Sequence, residues 1–303
     1  MKSILAFSLY ALILLAPGWL VCLCAGLERN RLLLAFAFSY VVIVFTHVAL
    51  RLLGGSVDYW PLVLLGVTLF LGVFSRRLFE KGHPTREKNR PEKEVWIKYE
   101  SIGMWFVIVI FSAYHLLAGP YTEIPSDFWA RLGHVTEQFQ IIEYGSGLAT
   151  VSLTEVFDDS VYVPFLHALI AAWIGVNPIE LVTPATLATS LIFLCAFYCL
   201  VLRVQQKQKT NAVRKVAVGV LACAFLVLIF GVSSFSYVRY YAYFPHILNM
   251  ALFFSALVVF MDVLEISEGR FKLLLLLHSF LVVELTEPAQ KFHRDKPTYL
   301  RLH

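Results

Sequence analysis

Ile102-Gly-Met-Trp-Phe-Val-Ile-Val-Ile-Phe-Ser-Ala-Tyr-His-Leu-Leu117 is an apolar run with two opposite flanks. Before it, Arg76 to Lys98 carries eight Lys/Arg and four acids. After it, Gly119 to Ser160 holds Glu123, Asp127, Glu137, Glu143, Glu155, Asp158 and Asp159 against a single Arg131. An apolar run between two charged loops reads as a membrane span. Lys and Arg collect in cytoplasmic loops, so the basic segment is expected inside and the acidic segment outside.

The rest of the 303-residue chain extends that reading, being 59% hydrophobic with a mean hydropathy of +0.72. A soluble core could not hide so much apolar surface. Lipid tolerates it, and a helix spans lipid because it satisfies its own backbone. The expected fold class is an all-α polytopic membrane helix bundle of about 8–9 apolar segments, most near the length a bilayer needs. Candidate spans are about 4–26, 32–53, 61–78, 102–118, 162–176, 181–203, 215–235, 245–265 and 271–285. In domain terms, residues 1–80 are N-terminal transmembrane helices and 76–100 a basic cytoplasmic loop. Residues 101–286 form a core with an external loop at 119–160, and 287–303 a polar tail. That tail is charged and without period, which reads as disorder or as a chain that stops before its natural end. Lys2 precedes the first apolar run as in a signal peptide. The run is long, is followed by Arg29 and Arg31, and lacks a small-residue cleavage site, so a retained span is expected.

Short loops set the orientation. Glu28-Arg29-Asn30-Arg31 is expected inside, Gly54 to Tyr59 outside and Arg76 to Lys98 inside, which puts the N-terminus outside. Beyond Ser160 the charge rule conflicts with itself. If 162–176 crosses, the basic loop Arg203 to Lys215 lies outside; if that segment is re-entrant, the loop returns inside. The segment begins with Val163-Pro164 and is followed at once by Asn177-Pro178, a helix break. A half-crossing is the favoured expectation, since protein can bury irregular backbone at membrane depth.

Several classes fall away. The net charge of +4 is spread without a basic, aromatic-interleaved face, so no nucleic-acid partner is expected. Cys22, Cys24, Cys195, Cys199 and Cys223 lie in apolar runs and read as small hydrophobes. There is no Gly-rich phosphate loop, His-Glu-x-x-His zinc motif or serine nucleophile elbow.

The residues with chemical potential concentrate outside the spans. Pro125-Ser126-Asp127 reads as a helix start with Ser126 or Asp127 as N-cap. From there Phe128, Leu132, Val135, Phe139 and Ile142 recur at helical steps, while Asp127, Arg131, His134 and Gln138 rise along a neighbouring face. The pattern is an amphipathic helix near the membrane surface. In the plainer alternative Asp127 only caps and Arg131 only pairs with it. Asp158-Asp159 could hold a hard divalent cation with substrate phosphate, or form a solvated turn. His115 and His167 fall within apolar helices, where a polar group is either functional or a packed histidine. Tyr237-Val-Arg239-Tyr-Tyr-Ala-Tyr243-Phe-Pro-His246 is either an interfacial girdle or a lipid-tail entrance whose Arg239 and His246 meet a phosphate.

Asp127-Phe-Trp-Ala-Arg-Leu-Gly-His134 resembles the first external loop of polytopic glycosyltransferases of the GT-C fold. Tyr162-Val-Pro-Phe-Leu-His167 and Tyr243-Phe-Pro-His-Ile-Leu248 resemble the aromatic-proline entries to later spans in that family. The likeness covers roughly Ile102 to Glu265. Many members place a second acid beside the first, where this chain has Phe128, and members usually run well beyond this length, so the chain is expected to be a truncated or partial member. The resemblance implies transfer of a sugar from a polyprenyl-phosphate donor to an acceptor at the external face. It implies Asp127 as catalytic base or metal ligand, with Arg131, His134, His167, Arg239 and His246 binding substrate. Asp158 and Asp159 are the metal candidates; the cofactor is open, a divalent cation being the candidate. The expected location is a multi-pass protein of the plasma membrane. The rival reading is a non-catalytic membrane protein, either a transporter or an assembly subunit of cell-envelope glycan synthesis. Charges within the spans are scarce, which weighs against ion-coupled transport.

Overall fold

The computed structural model describes residues 2–25, 31–80, 91–117, 126–143, 162–206, 211–229 and 245–265, with the backbone alone at 78–80, 91–98, 126–131, 228–229, 245–246 and 262–265. These residues form α1 (Lys2–Cys24), α2 (Arg31–Leu53), α3 (Trp60–Glu80), α4 (Pro91–Leu117), α5 (Ser126–Glu143), α6 (Tyr162–Ile174), α7 (Val182–Gln205), α8 (Ala212–Ala224) and α9 (Pro245–Glu265). Short 3-10 turns, Val57–Tyr59 and Pro178–Leu181, lead into α3 and α7, and α8 runs on as a π-helical turn, Phe225–Ile229. No strand occurs among the described residues. The chain is an all-α polytopic membrane protein. Lys2–Cys24, Arg31–Leu53, Val57–Arg77, Tyr99–Leu117 and Pro178–Gln205 are each long and apolar enough to cross a bilayer. The expected segment 271–285 lies outside the described residues.

Burial separates the spans into two kinds. α2 and α7 are buried on most of their circumference, with Phe36, Phe193, Leu194 and Tyr198 in the core. α3 and α4 instead turn large apolar side chains outward, among them Leu69, Phe70 and Val73, and Trp105, Phe106 and Val109. Faces of that kind are too apolar for water and fit lipid.

Small residues set the closest contacts. Pro17 interrupts the hydrogen-bond ladder of α1, and the Gly18 N–H goes to Ser39 Oγ on α2 at 2.8 Å. A Cβ at Gly18 would run into the Ala35 carbonyl, so glycine is what lets α1 and α2 touch backbone to backbone. Tyr198 of α7 likewise lies between Gly103 of α4 and Gly219 of α8. Its hydroxyl donates to the Glu100 carbonyl at 3.2 Å.

The direction of α6 resolves the charge conflict. Lys2 Nζ donates to the Gly175 carbonyl just past α6 at 3.0 Å, and Tyr10 hydrogen-bonds His167. From 2 to 10 and from 175 to 167 the step is equal and opposite, so α6 runs antiparallel to α1 and returns to the end where α1 begins. Trp60, which opens α3, meets Trp173 at that same end, with ring centroids 5.8 Å apart. At the opposite end Arg203 Nη2 donates to the Met261 carbonyl at 3.3 Å and Lys215 Nζ to the Gln206 carbonyl at 3.1 Å. Arg31, Arg77, Arg203 and Lys215 therefore share one end of the bundle. α6, at 13 residues, is a half-helix rather than a crossing.

Local chemistry ends α6 where it does. Gly175 takes φ +65°, a left-handed conformation suited to glycine. The Asn177 side chain accepts from the Ile179 N–H at 3.1 Å, and Glu180 accepts from the Asn177 N–H at 3.4 Å. This capping box starts the turn into α7. The basic segment 76–100 is less of a loop than expected: α3 continues to Glu80 and α4 starts at Pro91. Glu, Lys and Arg are good helix formers, and Pro91 suits a first helical turn.

Candidate functional site

The end of the bundle that holds Lys2 is built around α5 and α6, which pack along one another. α5 begins at Ser126, directly after Pro125, so Asp127 sits in its first turn. The expected apolar stripe faces inward: Leu132 and Val135 are buried, and Phe139 and Ile142 pack half-buried against the core. α5 also touches the turn Pro178–Leu181, which fixes it at the same end as Lys2 and Trp60.

The expected site residues divide. His134 is exposed on α5, with Nδ1 3.9 Å from Glu137 Oε2 one turn on. His167 is 1% exposed within α6, bonded to Tyr10 with the rings edge to face at 5.4 Å. α6 thus turns His167 to α1 while α5 turns His134 to the surface, and the two do not meet. Asp127, Arg131 and His246 have helical backbone in α5 and α9, and their side chains lie outside the described residues. Arg239, Asp158 and Asp159 also lie outside them. Among the described residues no three His, Cys, Asp or Glu side chains are grouped to hold a metal ion.

One residue that sequence reasoning missed is His47 of α2. It is 2% exposed, and neither ring nitrogen has a hydrogen-bond partner among the described residues. Its ring lies 4.5 Å from Phe165 and 5.3 Å, edge to face, from Tyr162, both in the first turn of α6. The available signal was a histidine inside a span, the criterion already applied to His115 and His167. His115 is itself buried, against Phe111 with centroids 5.9 Å apart.

Between α4 and α8 a shallow apolar groove is lined by Val107, Phe111, Tyr114, Val220, Cys223 and Val227. Cys22, Cys195, Cys199 and Cys223 are buried free thiols, and Cys24 is an exposed one.

A family model matches residues 11–286, from within α1 to beyond α9. The chain belongs to DUF6541, a family of unknown function. No curated protein and no solved structure matches it. The DUF6541 match takes in the His47 span, the amphipathic α5 and the half-helix α6 together.

Proposed function

We propose that this protein is a membrane glycosyltransferase that moves a sugar from a polyprenyl-phosphate donor to an acceptor at the external face. The observation that carries the reading is the pairing of amphipathic α5 with half-helix α6 at the outer end of the bundle. Asp127 lies in the first turn of α5, and α5 packs along a short helix buried among the spans. A carboxylate there is suited to take the proton of an acceptor hydroxyl, provided it comes within hydrogen-bond reach. Arg131, Arg239 and His246 are the candidate partners of the leaving lipid phosphate, through charge-assisted hydrogen bonds that strengthen as its charge develops. Asp158 and Asp159, which precede α6, are the candidate ligands of a divalent cation, and the plasma membrane is the proposed location.

A transport reading is favoured by one observation, the half-helix itself, since discontinuous helices form substrate sites in many transporters. The two readings part in one experiment. Proteoliposomes of the purified chain are supplied with a panel of polyprenyl-phosphate sugars. Transfer to an acceptor that is lost in Asp127→Asn supports the enzyme; flux of substrate without transfer supports the transporter.

A further inference from the structure

No further inference is drawn: the strongest candidate, the shallow apolar groove between α4 and α8 lined by Val107, Phe111, Cys223 and Val227, is an apolar face with nothing among the described residues to show what covers it.

Discussion

Tyr10 of α1 and His167 of α6 share a hydrogen bond inside the bundle, and that contact decides how the second half of the chain is threaded. Together with the bond from Lys2 to Gly175 it sets α6 antiparallel to α1. The directions of the described helices that follow, α7, α8 and α9, are read from that arrangement.

Labelling of single cysteines in a background without native cysteines tests the threading. Reagents confined to the cytoplasmic side should modify cysteine at Asn89 and also at Gln208. Reagents outside should modify cysteine at Ser146 and at Asn177. A crossing α6 would move the Gln208 label to the outer side, and that single result would overturn the half-helix.

The Tyr10–His167 bond should behave as a coupled pair. Tyr10→Phe removes the hydroxyl and leaves a buried imidazole nitrogen without its partner, at a cost of about 1–3 kcal/mol. His167→Leu does the converse to Tyr10. The double variant should be destabilised by less than the sum of the two, measured by thermal unfolding in nanodiscs. Additive effects would mean that the two side chains do not interact.

Tyr198 is held between two glycines, and neither position has room for a side chain. A Cβ at Gly103 or at Gly219 would meet the ring closer than van der Waals contact permits. Gly103→Val and Gly219→Val should each lower stability by about 1–3 kcal/mol through overpacking. Gly66 has no neighbour near its Cβ position, so Gly66→Ala should be tolerated, with a gain in helix propensity approaching 1 kcal/mol. Equal effects at all three positions would contradict the packing.

Asp127→Asn should lower lipid-linked sugar transfer on the order of 10²–10⁴-fold, the usual loss for a general base. Expression and unfolding midpoint should stay unchanged, because Asn caps a helix about as well as Asp. Full activity in a well-expressed Asp127→Asn chain would remove Asp127 from the mechanism.

Composition and periodicity were enough to determine a helical membrane protein. Apolar runs as long as α1, α2 and α7 have no other stable state in lipid, where each backbone group must be satisfied within its own segment. The inward stripe Leu132, Val135, Phe139 and Ile142 was equally legible, because helical spacing states it directly. The path of α6 was legible only as a favoured half-crossing, from the prolines at its two ends. Its 13 residues are mostly apolar, and hydropathy alone does not separate a short crossing from a half-helix. Only the partners of Lys2, Tyr10 and Trp173, all distant in sequence, reveal that it returns to its own side. His47 escaped notice for the same reason. Its meeting with Tyr162 and Phe165 joins residues more than a hundred positions apart, and local pattern is silent about which face of a buried helix meets which neighbour.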